Sequence, residues 1–296
     1  MKLTFIGLGL MGKPMAINHA KGGTDLTVVN RSQEKVQELV GMGAKAGGTP
    51  AQASAEADVV ALCLQGEEVI EQVLTGDDGV LSTARPGTIV VDHSTIHPES
   101  AKRFAATCAE HGVTYLDAPV SGTGKVAWDG QLTIMVGGDA EAFEKIKPLL
   151  EPVSVGAHLM GPVGSGNITK LMNNMIGDVN QIIIMETFAL AAALKLDMSV
   201  LLEVLQSASA NSRQLGRIGP KLLARDFASQ TSHLSGHHTS QGHMRWLSEQ
   251  VGLDLPLRAA AEDFWKRGID AGFGAGDPIE AVKMFEAQSG VEVQGS

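Results

Sequence analysis

The chain has 296 residues, a net charge of −10, 44% hydrophobic residues and two cysteines, Cys63 and Cys108. The acidic balance argues against non-specific binding to nucleic acid or to an anionic membrane, and two cysteines do not make a disulfide framework but suit a reducing compartment. The length favours two domains, and Met1 running straight into the first strand leaves no room for a leader, so a cytoplasmic protein is expected.

Lys2–Ile6 is a short apolar run with the look of a buried strand. It leads directly into Gly7-Leu8-Gly9-Leu10-Met11-Gly12, and Met11–Ala20 reads as a helix. Glycines at this spacing, between a strand and a helix, are the pattern of a dinucleotide-binding turn: Gly7 for the tight turn, Gly9 for approach of a pyrophosphate, Gly12 for helix–strand packing. The helix N-terminus then offers free N–H groups to the phosphates. The second strand, Leu26–Val29, ends in Asn30-Arg31-Ser32, where the adenosine ribose would lie. An NAD site usually has a carboxylate there. Arg31 instead suits a 2′-phosphate, so NADP(H) is preferred over NAD(H), unless Arg31 is only a solvated turn residue. Ser32 can add a hydroxyl or cap the helix that starts near Gln33.

Strands are expected at Ala57–Leu64, Gly87–Asp92 and Val113–Asp117, with helices at Glu67–Leu74 and Thr75–Thr83 between the first two. Alternation of this kind gives a doubly wound, mostly parallel α/β sheet. Leu64, Gln65 and Thr95 then fall at its carboxyl edge, where ligands bind. Thr95 either contacts the nicotinamide ribose or caps the helix before Pro98. Ser121-Gly122-Thr123-Gly124 follows a strand with small residues that can turn N–H groups and a hydroxyl towards one anion. A further strand (Gln131–Val136), a helix (Glu141–Leu150) and a last strand (Val153–Leu159) precede the boundary at Gly161–Gly166.

From Asn167 to about Leu194 the chain reads as one helix, apolar on most faces and therefore buried. Asn173, Asn174, Asp178, Asn180, Gln181 and Glu186 argue against its being a membrane span. Lys170 and Asn174 lie one turn apart on one face, and a lysine in such a helix is either a working group or a snorkelling one. The remainder reads as helices at Asp197–Ser207, Arg213–Leu223, Ser240–Gln250, Pro256–Ala271 and Pro278–Gln288, an all-α half.

Gly7–Gly12, Asp117-Ala-Pro-Val-Ser-Gly122, Gly164-Ser-Gly166 and Lys170-Leu-Met-Asn173-Asn174, in this order, resemble the β-hydroxyacid dehydrogenase family, from Met1 to about Glu286. That family includes 3-hydroxyisobutyrate dehydrogenase, tartronate semialdehyde reductase and the glyoxylate/succinic semialdehyde reductases. The resemblance implies a Rossmann domain over 1–162, joined by a long helix to an all-α domain over 163–296, with the active site between them and a homodimer or homotetramer as the assembly. It implies Lys170 as general acid/base, Ser121, Gly122 and Thr123 on the substrate carboxylate, and Asn174 as a substrate-positioning residue. The cofactor falls to Gly7, Leu8, Gly9, Leu10, Met11, Gly12, Asn30, Arg31, Ser32, Leu64, Gln65 and Thr95.

Two departures stand out. Thr123 replaces the second glycine of the family's Ser-Gly-Gly loop. Counting back from Leu255-Pro256, the family's Lys-Asp pair falls on Thr239-Ser240, or with a one-residue slip on His238, so a fixed positive charge is lost. His238, partly protonated near neutrality, offers a conditional one. His233 and His237, four apart, can share a helix face, but no carboxylate or cysteine accompanies them at a ligand spacing, and no metal is assigned. The reading is an NADPH-linked reductase of a small carboxylate-bearing aldehyde or ketone. Its alternatives are a reductase of imines or non-acidic carbonyls, and a cofactor-binding protein without catalysis.

Overall fold

The computed structural model describes residues 1–122, 124–228 and 232–295, so Thr123 lies outside the described residues. The chain forms two compact units, Met1–Lys170 and Leu171–Ser296, the division falling inside one helix.

The first unit runs β1 (Lys2–Ile6), α1 (Gly12–Lys21), β2 (Asp25–Val29), α2 (Gln33–Val40), β3 (Lys45–Ala46), α3 (Pro50–Ser54), β4 (Val59–Leu62), α4 (Glu67–Thr75), β5 (Ile89–Asp92), α5 (Pro98–Glu110), β6 (Thr114–Asp117), β7 (Val120–Ser121), α6 (Lys125–Trp128), β8 (Leu132–Gly137), α7 (Ala140–Leu150) and β9 (Ser154–Gly161). The sheet order is β3-β2-β1-β4-β5-β6-β8-β7, with β9 beside β8. Neighbours from β3 through β6 are parallel; β8 runs antiparallel to β6 and β7. Helices cover both faces, so the inner strands are apolar on both sides. Leu3, Phe5, Val59 and Ala61 enter one core, whereas Ile6, Val60, Leu62 and Val90 enter the other, as the two-residue period of a strand dictates. Ile6, Leu62, Asp92 and Asp117 stand side by side in register. The segments that follow them therefore leave from one edge.

The helix expected over Thr75–Thr83 does not form. Helix α4 stops at Thr75, Gly76 is extended (ψ 169°), and only a single 3-10 turn, Val80–Ser82, follows. Gly76 and Gly79 interrupt the helical run.

The second unit is helical, with no strand among the described residues. Its helices are α8 (Ser165–Ala193, begun in the first unit), α9 (Met198–Ser207), α10 (Arg213–Ala224), α11 (Leu234–Gln250), α12 (Pro256–Asp270) and α13 (Val282–Ser289). Asp197 and Ser212 cap α9 and α10 with side-chain oxygens. Met185 and Phe188 of α8 are fully buried with Ile218, Leu222, Phe264 and Trp265. By length and composition alone α8 is long and apolar enough to cross a membrane. The expectation of burial on most of its faces needs correction: Ile176, Ile183 and Leu190 are 63%, 51% and 63% exposed. Only one side of the helix has neighbours within its own chain.

Candidate active site

The glycine turn has the geometry that its spacing predicts. Gly7 has φ 101°, and a Cβ there would lie 2.3 Å from the carbonyl oxygen of Cys63. Gly12 is as tight, with a Cβ 1.9 Å from the Gly7 oxygen, so α1 and β1 pack through it. Gly9 faces open space. Helix α1 has no side-chain cap and no acidic residue in its first turn, and the N–H groups of Gly9, Leu10 and Met11 meet no acceptor among the described residues. An uncapped helix end beside an open glycine is a cradle for a diphosphate. The Leu8 side chain is buried below it and Leu10 is exposed above.

The Asn30 side chain supports this turn rather than reaching outward. It accepts from the Leu8 N–H at 3.0 Å and donates to the Ser32 carbonyl at 3.2 Å. Lys35, which the sequence reading passed over, donates to the Leu8 carbonyl at 3.0 Å. Arg31 is exposed, with no ion pair or hydrogen bond among the described residues. Ser32 occupies the N-cap of α2 but makes no side-chain cap bond, so the expected capping role is not seen and its hydroxyl stays available.

At the carboxyl edge, Leu64 donates its N–H to the Ser94 hydroxyl at 3.0 Å. The Ser94 N–H donates to Asp92 at 2.9 Å, and Tyr115 donates its hydroxyl to the other oxygen at 2.7 Å. Burial pushes the Asp92 carboxyl up from its ordinary range, while the bonds from Ser94 and Tyr115 oppose the shift. The same burial pushes the Tyr115 hydroxyl well up. Gln65 and Thr95 are exposed beside this edge. The cap of α5 is His97, whose ring nitrogen accepts from the Glu99 N–H. Capping therefore does not account for Thr95.

Asp117 closes the edge. It accepts from the Gly164 N–H (2.7 Å), the Asn167 N–H (2.7 Å) and the Asn167 side-chain amide (3.1 Å). The oxygen of that amide accepts from the Ile96 N–H at 2.9 Å. One buried asparagine thus ties the Thr95–Ile96 segment and the end of β6 to the first turn of α8, three residues before the half-buried Lys170. Ser121 and Gly122 lie on the same side of the sequence order, at the end of β7. Gly122 has φ 124° and no room for a Cβ, which would sit 2.6 Å from Val126.

In the second unit, Asn174 donates to the Ser240 hydroxyl at 3.2 Å. One turn on, the buried Asp178 lies 2.5 Å from His237 Nδ1 and accepts from Gln241 at 2.6 Å. The other nitrogen of His237 meets the Ser232 hydroxyl at 3.0 Å. The ring packs against Trp265, whose indole N–H has no partner among the described residues. Thr239 is exposed and turns its hydroxyl back to the Ser235 carbonyl, while His238 is half-buried. It is therefore Ser240, not Thr239, that meets Asn174. No group of three or more His, Cys, Asp or Glu suited to a metal occurs among the described residues. His233 bonds the Ala275 carbonyl.

Residues 2–164 match the family model of the NAD binding domain of 6-phosphogluconate dehydrogenase. Residues 164–285 match the model described as NAD-binding of NADP-dependent 3-hydroxyisobutyrate dehydrogenase. The chain belongs to the β-hydroxyacid dehydrogenase family. This β-hydroxyacid dehydrogenase is 32% identical to 2-(hydroxymethyl)glutarate dehydrogenase of Eubacterium barkeri, over 100% of its own length and 98% of the relative's. It is 37% identical to 2-hydroxy-3-oxopropionate reductase of Escherichia coli, over 97% of each. A crystal structure of 3-hydroxyisobutyrate dehydrogenase from Salmonella typhimurium superposes with a TM-score of 0.88 at 25% identity, covering 96% of this chain and 99% of that one. The chain is accordingly an NAD(P)-dependent dehydrogenase of hydroxy acids, and the open cradle at Gly9 fits the pyrophosphate of such a cofactor.

Proposed function

We propose that this enzyme interconverts a small carboxylate-bearing aldehyde and its 3-hydroxy acid, prefers NADP(H), and uses Lys170 as the general acid/base. The names of the relatives describe one frame, a 3-hydroxypropanoate or its 3-oxo form, with different groups on the carbon next to the carboxylate: carboxyethyl, hydroxyl and methyl. The single observation that carries the reading is the Asn167 junction, which fixes the turn bearing Lys170 to the edge where Leu64 and Thr95 lie.

The nicotinamide cofactor, when bound, supplies or takes up the hydride. Lys170, as ammonium, donates a proton to the carbonyl oxygen as negative charge develops on it, and takes the proton back in the oxidative direction. Ser121, Gly122 and Thr123 hold the carboxylate, and Asn174, one turn beyond Lys170, orients the substrate. Arg31 and Ser32 receive the 2′-phosphate, with Lys35 adding positive charge beside the turn. The exposed line Ile176, Ile183 and Leu190 supports a homodimer or homotetramer.

The test is Lys170→Ala. Loss of a positioned proton donor lowers kcat by roughly 10²–10⁴-fold with NADPH affinity little changed; a full-rate variant refutes the role. Turnover of non-acidic carbonyls or a cyclic imine, and of no carboxylate-bearing aldehyde, refutes the substrate class.

A further inference from the structure

Lys170, Asn174 and Asp178 follow one another at four-residue intervals on α8. They form a single stripe with about 6 Å between successive members. Beyond the proton-donating amine, the first side chain along this stripe is Asn174, held by Ser240 of α11. Behind these two lies the carboxylate of Asp178, 1% exposed, flanked by His237 and Gln241 of the same helix.

The charge of this group follows from its members. With His237 neutral the Asp178–His237 pair carries one negative charge; with His237 protonated it carries none. In neither state is it positive. The nearby interior cations of this unit are already engaged by carboxylates: Lys221 by Asp277, Arg225 by Glu286 and Arg258 by Glu262. Arg217 bonds Gln214 and lies within the field of Asp277. A substrate anion brought to Asn174 and Ser240 would lose its hydration beside a buried carboxylate without gaining a countercharge. A hydrogen-bond donor meets the opposite conditions. Ser240 and Asn174 present acceptor oxygens, and the buried Gln241 side-chain oxygen has no donor among the described residues. An unfilled buried acceptor favours a ligand that brings an N–H or O–H.

We propose that the substituent next to the substrate carboxylate is a hydroxyl or an ammonium, recognised by Asn174 and Ser240 with Asp178 behind them, and that a second carboxylate at this position is rejected. This rests on the reaction proposed above and names its substrate class within that reaction.

The experiment uses the purified full-length enzyme with NADP⁺ and four 3-hydroxypropanoates carrying hydroxyl, ammonium, methyl or carboxyethyl at carbon 2. The expected result is a kcat/KM for the hydroxyl or ammonium compound at least tenfold above that for the carboxyethyl compound. In Asp178→Asn that ratio falls severalfold. Because a change at a buried carboxylate can fail to fold, Ser240→Ala serves as the second variant; it lowers the advantage of the hydroxyl or ammonium compound over the methyl one. A carboxyethyl compound that matches or exceeds the others overturns the proposal, as do ratios unmoved by Ser240→Ala. Turnover of none of the four is a separate outcome: it removes the underlying reaction and the inference with it.

Discussion

Asn167 reaches Asp117 twice, through its backbone N–H at 2.7 Å and its side-chain amide at 3.1 Å, although fifty positions separate them in sequence. The same amide receives the Ile96 N–H, so its removal leaves donors and acceptors unpaired in a fully buried place. Asn167→Ala is expected to lower unfolding free energy by about 2 kcal/mol, the cost of unsatisfied buried polar groups. It is also expected to reduce kcat roughly tenfold through displacement of the Lys170 turn. Urea unfolding and steady-state kinetics check both. A destabilised variant with unchanged kcat would show that the junction is structural only.

The parts of the site that the sequence announces are those with local causes. The glycine turn is legible because each glycine answers a steric demand of its immediate neighbours, as the crowding at Gly7 and Gly12 shows. Lys170 and Asn174 are legible because helical spacing alone puts them on one face. Asp117–Asn167 and Asp178–His237 are not, since each joins residues brought together only by the chain's return. The histidine run around His237 carries no sign that its charge partner sits 59 positions earlier. The exposed face of α8 was misread for a related reason: apolarity on most sides implies burial, but composition does not say whether the covering surface belongs to the same chain.

Cofactor choice turns on Arg31. The loop after β2 has no carboxylate at Asn30, and the exposed guanidinium of Arg31 has no competing partner among the described residues. Arg31→Ala removes a charge-assisted pair worth about 1.5–3 kcal/mol. This corresponds to a loss of roughly 10–100-fold in kcat/KM for NADPH, with NADH use little affected. Parallel kinetics with the two cofactors decide the matter, and an unchanged NADPH/NADH ratio rejects the assignment.

Acid sensitivity is expected from His19, buried in α1 against an apolar layer with its Nδ1 unpartnered. Burial, reinforced by the charge of His93, lowers its pKa from 6.5 to about 3. Between these values the unfolded chain binds a proton that the folded chain refuses, so stability is lost as pH falls below 6.5. From about pH 7 to about pH 5 the loss attributable to His19 is about 2 kcal/mol. His93, lowered to about 4 by burial, acts in the same direction. Asp92 and Asp117, raised by burial, act in the opposite one: their contribution is present at low pH and declines as pH rises through their folded values. His19→Leu leaves those three groups in place. Urea unfolding at the two pH values should therefore give a smaller acid-induced loss for the variant, and equal losses would contradict the argument.

Self-association is expected along α8. Ile176, Ile183 and Leu190 are spaced by seven residues, an interval that returns to nearly the same side of a helix with a drift of about 20°. All three are more than half exposed, and Val200 and Val204 of α9 are exposed as well. A contiguous apolar surface of this kind marks an interaction site, and its repetition along one helix suits a symmetric pairing of two copies. Burying each isoleucine contributes about 1.5–3 kcal/mol, whereas an aspartate at the centre of the line must be desolvated there. Ile183→Asp should therefore convert an oligomer into a monomer at micromolar concentration, measured by sedimentation velocity, with helix content by circular dichroism unchanged. An oligomer that survives the substitution would place the interface on another face of the chain, and a wild-type monomer would dispose of the interface altogether.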